Sequence, residues 1–270
     1  MTRVAGRSCL VTGAAQGIGR AIAEALLNEG ANVCFADINA AKVAEVAEAN
    51  AERAAKTGAK VLHAAVDVTD RAQVREMIAR TVEAFGRLDV KFNNAGVNKP
   101  MNFLDVTEEN WNFIMGINGL GCMIGMQEAA RQMIAQGRDA DGMAGKIINT
   151  ASVASRQGFD NVAPYCASKW AVVSLTQSGA RDLGKHGITV TGFAPGVVAT
   201  EMWEQVDADL MEIGAAERPG QAMENFAAEI LKGRVATPAD VTGTTTFLAS
   251  RDSDYMTGQI VMIDGGMTLV

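Results

Sequence analysis

A tyrosine and a lysine, Tyr165 and Lys169, lie four residues apart in a stretch with helical character. Residues at this spacing share one face of a helix, one turn apart. A phenol is almost fully protonated at neutral pH and is then a poor base. A neighbouring ammonium group favours the phenolate, so we expect Lys169 to lower the pKa of Tyr165. The pair predicts proton transfer to or from an oxygen, with Tyr165 as the acid or base.

A serine, Ser152, follows the fifth predicted strand, on the rim where open α/β sheets bind ligands. Its hydroxyl can hold a substrate oxygen while Tyr165 moves the proton. The spacing of Tyr165 and Lys169 alone is common by chance, because an ordinary amphipathic helix face also produces it. Together with Ser152 and a glycine-rich turn near the N-terminus, the pair favours a catalytic site.

The glycine-rich turn contains Gly13, Gly17 and Gly19, between the first predicted strand and the first predicted helix. Glycine lets the backbone turn tightly and approach a pyrophosphate, and a helix N-terminus offers free N–H groups and a partial positive charge. An acidic residue, Asp37, ends the next predicted strand, 18 residues after Gly19. This is the context that a dinucleotide-binding site requires.

The acidic residue of this site, Asp37, can accept hydrogen bonds from both ribose hydroxyls of an adenosine group. Its charge would repel a 2′-phosphate. No arginine or lysine stands at position 14, 15, 16 or 38 to compensate. The sequence therefore predicts NAD as the cofactor rather than NADP.

Short apolar runs alternate with longer helical stretches, which is typical of βαβ units around a parallel sheet. Predicted strands cover residues 8–12, 32–37, 60–67, 88–93, 145–151, 188–194 and 259–263. Predicted helices cover residues 17–28, 40–56, 71–85, 108–136, 164–186 and 238–249. Most of the strands are continuously apolar, as expected for strands covered on both faces. The fold class is α/β, with a doubly wound parallel sheet in one domain spanning residues 1–270.

Two segments interrupt this alternation. Residues 136–145 are rich in glycine and aspartate and predict a surface loop. Residues 200–233 form a long insertion after the sixth strand, and an insertion there lies over the ligand crevice of a doubly wound sheet. We interpret this insertion as a small helical substrate lid; the alternative is a solvated helical decoration.

The motifs together resemble those of the short-chain dehydrogenase/reductase family, and the resemblance covers essentially the whole chain. They are the Gly-x-x-x-Gly-x-Gly turn, the Asn-Asn-Ala-Gly sequence at 93–96, Ser152, and the Tyr-x-x-x-Lys spacing. The resemblance implies a Rossmann fold with a seven-stranded parallel sheet. It also implies that Asn118 is a fourth catalytic residue, matching a helix asparagine that supports a proton-relay water near the lysine.

The resemblance further implies which residues hold the cofactor. The expected residues are Gly13, Gln16, Gly17, Ile18, Asp37, Ile38, Asp67, Val68, Asn94, Ala95, Gly96, Tyr165, Lys169, Pro195, Gly196, Val198, Thr200 and Met202. In this assignment Asp67 lies beside the adenine ring; its alternative role is to cap the end of a strand. Residues 94–96 form the floor of the cofactor site, and residues 195–200 hold the carboxamide.

Within the family, the C-terminal third resembles the branch that contains sorbitol-type polyol dehydrogenases and 2,3-butanediol dehydrogenases. The resemblance rests on residues 174–178, 194–203 and 252–259. It implies hydride transfer between NAD and a secondary alcohol, either a polyol or a vicinal diol. The expected substrate pocket comprises Ser152, Val153, Phe159, Tyr165, Gly196 and Trp203.

Two features leave the substrate open. Members of the branch often have a polar residue where this chain has Val153, and Phe159 is also apolar. A less polar secondary alcohol or ketone is therefore an alternative, unless Arg156, Gln157 or Asn161 faces the pocket. A non-catalytic alternative, a cofactor-binding scaffold, is disfavoured because all four expected catalytic residues are present.

Composition excludes several other classes of function. The net charge of −7 argues against a nucleic-acid binder. Two histidines far apart, without a cluster of ligands, predict no metal site. Four cysteines without a C-x-x-C pair predict buried thiols, and no apolar run reaches membrane-spanning length.

The N-terminal residues lead into the first strand without a signal-like segment, so we expect a cytoplasmic protein with no membrane partner. The family resemblance implies a homotetramer in which helices 108–136 and 164–186 pack against partner subunits. The apolar segment 267–270 fits burial at such an interface, or it folds back on its own subunit.

Overall fold

The computed structural model of the protein describes residues 2–269. Seven strands form one sheet in the order β3-β2-β1-β4-β5-β6-β7, and all neighbouring strands are parallel. The strands are β1 (Ser8–Thr12), β2 (Asn32–Asp37), β3 (Val61–Ala65), β4 (Val90–Asn93), β5 (Gly145–Thr150), β6 (Ile188–Pro195) and β7 (Ile260–Ile263). The predicted doubly wound, seven-stranded parallel sheet in a single domain is confirmed.

Within residues 2–269, ten α-helices lie on the two faces of the sheet or in the insertion after β6. They are α1 (Gly17–Asn28), α2 (Ala40–Ala49), α3 (Ala51–Thr57), α4 (Arg71–Phe85), α5 (Glu108–Met115), α6 (Cys122–Gln136), α7 (Ala163–Leu183), α8 (Glu201–Glu212), α9 (Gln221–Glu229) and α10 (Pro238–Ala249). A π-helical turn, Gly116–Gly121, joins α5 to α6.

Apolar cores lie on both faces of the sheet because successive strand residues point to opposite faces. Leu10 belongs to the core packed by α4, α6 and α7, whereas its neighbour Val11 belongs to the core packed by α1, α2 and α10. Both residues are fully buried. Burial on both faces explains why the strands are apolar at consecutive positions.

Two predicted helices are divided in the structure. The predicted helix 40–56 breaks at Asn50, whose side chain donates to the Val46 carbonyl at 2.9 Å and so occupies an acceptor within the last turn of α2. The predicted helix 108–136 contains the π-helical turn Gly116–Gly121, in which Gly116, Gly119 and Gly121 lower the preference for a regular α-helix.

The insertion after β6, which we call the lid segment (residues 200–233), contains α8 and α9. It has a small apolar cluster of its own, formed by Val206, Leu210, Ala216 and Ala222. This cluster is separate from the two cores of the sheet, so the lid segment packs around a small core of its own. Thr200, the N-cap of α8, leads directly from the sheet into the lid segment.

The C-terminal segment contacts the end of the lid segment, since Lys232 N donates to the Gly265 carbonyl at 3.1 Å. Asp264 orders the turn that follows, because its carbonyl accepts from Met267 N at 3.3 Å and its Oδ2 atom accepts from Thr268 N at 2.8 Å. Leu269 is exposed. Val270, the last residue of the predicted interface segment 267–270, lies outside the described residues.

Candidate active site

A cavity of about 540 Å³ opens at the carboxyl ends of the strands, where the connections from β1 and β4 diverge. This is the position at which doubly wound sheets bind ligands. All the residues that the sequence predicts to hold a cofactor line this cavity: Gly13, Gln16, Gly17, Ile18, Asp37, Ile38, Asp67, Val68, Asn94, Ala95, Gly96, Tyr165, Lys169, Pro195, Gly196, Val198, Thr200 and Met202. The fold therefore brings residues from six separate segments into one cleft.

The glycine-rich turn is packed so tightly that it excludes side chains. A Cβ atom on Gly13 would lie 3.0 Å from the Cα atom of Ala95, and Gly13 has a φ of +67°. A Cβ atom on Gly19 would lie 2.1 Å from the Gly13 carbonyl oxygen. Gln16 is the N-cap residue of α1, but in the described chain its side chain accepts no hydrogen bond from the first turn. The first N–H groups of α1 can therefore bind an anion. The turn fits a pyrophosphate.

The Asp37 carboxylate is fixed at the end of β2 by two backbone amides. Its Oδ2 atom accepts from Ala15 N at 3.1 Å, and its Oδ1 atom accepts from Asn39 N at 3.0 Å. These contacts hold a negative charge at the rim of the cleft, beside the glycine-rich turn.

One residue of this rim, Lys42, is missing from the predicted site. Its Nζ atom donates to Gln16 Oε1 at 2.5 Å, and it lines the cleft from the first turn of α2. The prediction considers a compensating cation only in the glycine-rich turn and directly after Asp37, whereas Lys42 lies five residues beyond Asp37. A cation on the first turn of the helix after β2 was the signal that could have found it.

Asp67 lies at the edge of the cleft and also hydrogen-bonds the turn that follows β3. It lines the cleft, and its Oδ1 atom accepts from the Thr69 amide at 2.9 Å and from the Thr69 hydroxyl at 2.7 Å. The residue that caps α4 is Asp70, whose Oδ1 atom accepts from two backbone amides of the first turn. Asp67 therefore orders the turn after β3 while remaining at the edge of the cleft.

Tyr165 and Lys169 lie on one face of α7, as the spacing predicts, and Ser152 approaches them from the end of β5. The Lys169 Nζ atom lies 5.5 Å from the centre of the Tyr165 ring and donates to the Thr150 carbonyl at 2.8 Å. The Ser152 side chain lies near enough to Tyr165 to act on its pKa, and its Oγ atom accepts from Ala154 N at 3.2 Å. Three groups able to bind or transfer protons therefore meet at one point.

Burial dominates the proton affinities of the two groups. It raises the pKa of Tyr165, although the hydrogen bond with Ser152 acts in the opposite direction. Burial also lowers the pKa of Lys169 to about 8, which the nearby Cys122 partly opposes. The net shift of the Tyr165 pKa is therefore upward, because the cost of burying the phenolate exceeds the local stabilisation; that Lys169 lowers this pKa stays a prediction.

Asn118 is buried in the π-helical turn and forms two hydrogen bonds with the loop that follows β4. Its Oδ1 atom accepts from Val97 N and its Nδ2 atom donates to Val97 O, both at 2.9 Å. A Cβ atom on Gly96 would lie 3.1 Å from Asn118 Oδ1 and 3.7 Å from Lys169 Nζ. Asn118 and Lys169 therefore flank the same glycine, and the predicted proximity of the two residues is present.

A second cavity, of about 500 Å³, adjoins the cleft on the side of the lid segment. All the residues predicted for the substrate pocket line it: Ser152, Val153, Phe159, Tyr165, Gly196 and Trp203. Gln157 and Asn161 line it too. Arg156 instead points towards β7, where its guanidinium lies 3.5 Å from the Ile260 carbonyl oxygen.

Two lining residues of this pocket are absent from the prediction. Phe226 of α9 packs edge-on against Phe159 and Trp203, with ring centres 5.9 Å and 5.6 Å apart. Asn98 follows the Asn-Asn-Ala-Gly sequence by two residues and lines the same cavity. Neither position carries a motif, and only the packing of the lid segment against the sheet brings them together.

Metal-binding clusters and membrane-spanning helices are both absent from the described chain. Among residues 2–269, no group of three or more histidine, cysteine, aspartate or glutamate side chains is arranged to hold a metal ion. In the same range, no helix has the length and apolarity needed to cross a membrane.

Comparison with known proteins identifies the family. Residues 13–268 match a family model described as enoyl-(acyl carrier protein) reductase. The chain is 38% identical over 261 residues to a diacetyl reductase [(S)-acetoin forming] of Staphylococcus epidermidis, covering 97% of this chain and 98% of that protein. It is 41% identical over 264 residues to a galactitol 2-dehydrogenase of Agrobacterium fabrum, covering 98% of each.

Among solved structures, that of levodione reductase superposes on this chain with a TM-score of 0.89. The two chains are 34% identical, and the match covers 98% of each. Sequence and structural similarity thus extend over nearly the full length, including both cavities. On this evidence, the chain belongs to the short-chain dehydrogenase/reductase family, as its motifs predict.

Proposed function

We propose that the protein is an enzyme that interconverts a secondary alcohol, a polyol or vicinal diol, and its ketone, with NAD as the hydride carrier and Tyr165 as the general acid and base. The observation that carries the proposal is that Ser152 and Tyr165 line both cavities, with Lys169 beside Tyr165 in the larger cleft. The names of the two curated relatives, a diacetyl reductase and a galactitol dehydrogenase, support the same class of reaction.

The residues of the larger cleft fit a nicotinamide dinucleotide. The glycine-rich turn and the N-terminus of α1 would bind the pyrophosphate, and the Asp37 carboxylate would accept the ribose hydroxyls. Pro195, Gly196 and Thr200, at the end of β6, would bind the nicotinamide end. When bound, the oxidised cofactor accepts the hydride from the carbinol carbon.

In oxidation, the protein's own residues hold the alcohol and remove its hydroxyl proton. Ser152 donates a hydrogen bond to the substrate oxygen, and Tyr165 takes the proton from that oxygen. Lys169, held by the Thr150 carbonyl, presents a positive charge beside the tyrosine ring and stabilises the phenolate as it forms. In ketone reduction, Tyr165 returns the proton to the oxygen.

Asn118 acts on this site from the π-helical turn. Its hydrogen bonds to Val97 fix the loop that forms the cleft floor, and the amide is adjacent to Gly96 and Lys169. We assign it the positioning of this floor and the support of a proton path next to the lysine. The separate apolar cluster of the lid segment supports a role for residues 200–233 as a substrate lid within a single domain of residues 1–270.

A homotetramer and a cytoplasmic location complete the proposal. Trp111 of α5 and Trp170 of α7 are 44% and 48% exposed, and apolar surface of this kind favours association through these helices. All four cysteines are buried and unpaired in the described chain, which fits a reducing compartment. Sedimentation of the purified protein tests the tetramer, and a monomer at micromolar concentration would contradict it.

The test of the reaction is NADH formation by purified protein supplied with NAD⁺ and a panel of secondary alcohols, followed by absorbance. The panel contains sorbitol, galactitol, 2,3-butanediol and cyclic secondary alcohols, and the corresponding ketones are supplied with NADH. Turnover of at least one alcohol and its ketone is expected. Failure to turn over any member in either direction, by protein that binds NADH, would overturn the proposed function.

A further inference from the structure

The first two residues of the lid segment lie directly against the glycine-rich turn. A Cβ atom on Gly17 would lie 3.4 Å from the Thr200 Cγ2 atom and 3.6 Å from the Glu201 Oε2 atom. Gly17 is the first residue of α1, and Glu201 is the first residue of α8. The start of α8 therefore meets the start of the helix that would bind the pyrophosphate, and a carboxylate oxygen lies at this meeting point.

The Glu201 carboxylate brings a negative charge without a paired cation to this end of the cleft. Glu201 lines the cleft and is exposed. None of the ion pairs within the described chain includes it. The two lysines that line the cleft have other partners, since Lys42 donates to Gln16 Oε1 and Lys169 donates to the Thr150 carbonyl.

A pyrophosphate bound at the N-terminus of α1 would carry two negative charges into the region beside Glu201. The first N–H groups of α1 attract such an anion, whereas the Glu201 carboxylate repels it. Water and salt screen a repulsion between exposed charges, so its effect on a dissociation constant is modest and depends on ionic strength. Glu201 thus opposes part of the attraction that the glycine-rich turn provides.

An acidic residue at position 201 also has a structural explanation, and Glu204 shares it. Both residues lie in the first turn of α8, where a negative charge interacts favourably with the helix dipole. Of the two, Glu201 lines the cleft and Glu204 does not. Removing the charge of Glu204 therefore reproduces the effect on α8 without changing the charge beside the glycine-rich turn.

We propose that Glu201 weakens binding of the dinucleotide by repelling its pyrophosphate, and that it thereby speeds the release of NADH after alcohol oxidation. The proposal rests on the proposed function for the identity of the cofactor. It gives the lid segment a second role, in the release of the cofactor, besides covering the substrate. Release of a bound product limits turnover in many enzymes, so a charge that lowers affinity for NADH favours the next cycle.

The test compares NADH binding by the wild type, Glu201→Gln and Glu204→Gln, measured by NADH fluorescence. Glutamine keeps the length and polarity of the side chain and removes its charge. At low ionic strength, Glu201→Gln is expected to lower the Kd for NADH by about three- to tenfold. Its rate of NADH dissociation, measured by stopped flow, should fall by a similar factor, because differences in affinity lie mostly in dissociation. Glu204→Gln should bind and release NADH as the wild type does.

Two further measurements separate repulsion from a change in the shape of the cleft. At about 1 M salt the Debye length is about 3 Å, so the Kd values of Glu201→Gln and the wild type should converge. ADP-ribose keeps the pyrophosphate and lacks the nicotinamide, and in competition with NADH it should show the same gain in affinity. A gain that persists at high salt, or that is confined to NADH, would contradict repulsion of the pyrophosphate.

The outcomes distinguish this inference from the proposed function. If the wild type binds no NADH, both fail. If Glu201→Gln shows the expected salt-dependent gain, the role of Glu201 holds, whether or not the wild type oxidises any alcohol of the panel. If Glu201→Gln binds NADH no more tightly than the wild type does, the role of Glu201 is overturned, whereas alcohol oxidation by the wild type still supports the proposed function.

Discussion

The Nδ2 atom of Asn118 lies 3.0 Å from the hydroxyl oxygen of Ser168, and this hydrogen bond joins the π-helical turn to the helix that carries Tyr165 and Lys169. The Ser168 hydroxyl in turn donates to the Tyr165 carbonyl at 2.7 Å. The Asn118 side chain also forms two hydrogen bonds with the backbone of Val97. One buried amide therefore connects the cleft floor to the backbone of Tyr165, the proposed general acid and base. Ser168 is the middle member of this connection.

Replacing Ser168 with alanine is expected to lower kcat by about tenfold. The substitution removes one acceptor from Asn118 and one donor from the first turns of α7, which are worth about 0.5–1.5 kcal/mol each to stability. Urea unfolding and steady-state kinetics measure the two effects. Ser178→Ala changes an exposed serine of the same helix and should affect neither. A wild-type kcat in Ser168→Ala would show that the connection does not position Tyr165.

Removal of the Tyr165 hydroxyl is expected to abolish most of the activity. Tyr165→Phe keeps the ring that Lys169 faces but has no proton to transfer, and such a loss reduces the rate by about 10²- to 10⁴-fold. NADH binding should persist, because the glycine-rich turn and Asp37 lie at the other end of the cleft. Alcohol oxidation at the wild-type rate by this variant would contradict the assignment of Tyr165.

The sequence was sufficient for the parallel sheet and for the position of the crevice, since both depend on local signals. Continuous apolar runs predict strands buried on both faces, and glycines before a helix predict a phosphate-binding turn. The strand bounds of β1 and β2 and the helix bounds of α1, α4 and α10 agree with the prediction residue by residue. Family spacing then located Ser152, Tyr165 and Lys169.

The features of the site that the sequence did not predict depend on contacts between segments that are distant in the chain. Phe226 becomes a wall of the pocket only when α9 packs against Phe159, 67 residues earlier in the chain. The π-helical turn carries Asn118, whose side chain accepts a hydrogen bond from Val97, 21 residues earlier in the chain. The raised pKa of Tyr165 results from burial, which the local sequence does not report.

The charge of Asp37 is expected to determine the choice between NAD and NADP. In the wild type kcat/KM should be higher with NAD⁺, because a 2′-phosphate would meet this carboxylate. Asp37→Ser should raise the NADP⁺-to-NAD⁺ ratio of kcat/KM by about a hundredfold, as repulsion between like charges is worth several kcal/mol. Lys42→Ala in the Asp37→Ser background should reverse part of this gain, since Lys42 lines the same rim.

Initial rates with both cofactors measure the ratio, and Lys42→Ala alone is the matched control. Because Asp37 is intact in this single variant, it should still favour NAD⁺. A wild-type enzyme that uses NADP⁺ as well as NAD⁺ would contradict the role given to Asp37.

Close packing of the glycine-rich turn makes Gly19 intolerant of a side chain. A Cβ atom there would overlap the Gly13 carbonyl, so Gly19→Ala should destabilise the protein by about 1–3 kcal/mol and weaken NADH binding. Gly243 of α10 is the control, because an added Cβ meets no atom of the described residues within 4 Å. Gly243→Ala should stabilise the protein by about 0.5–1 kcal/mol through higher helix propensity.

Urea unfolding of the two variants measures both changes in the free energy of unfolding, a decrease for Gly19→Ala and an increase for Gly243→Ala. Equal stabilities of Gly19→Ala and the wild type would mean that the turn can open to accept a methyl group. The close approach between Gly19 and the Gly13 carbonyl would then not restrict the turn.

The pH dependence of alcohol oxidation follows from the proton affinity of Tyr165. Burial raises the pKa of this group, and oxidation requires its deprotonated form. The rate of oxidation should therefore increase with pH, whereas ketone reduction, which requires the protonated form, should decrease at high pH. The hydrogen bond from Ser152 lowers the pKa of Tyr165, so its removal in Ser152→Ala should shift the midpoint of the oxidation profile to higher pH.

The midpoint of log kcat/KM against pH is the informative quantity, because Ser152→Ala also loses a contact to the substrate oxygen and its rate falls at every pH. The positive charge of bound NAD⁺ acts equally in both proteins, so it cancels from the difference between their midpoints. A midpoint that stays in place, or moves to lower pH, would show that Ser152 does not stabilise the phenolate. In that case its hydrogen bond would serve the substrate alone.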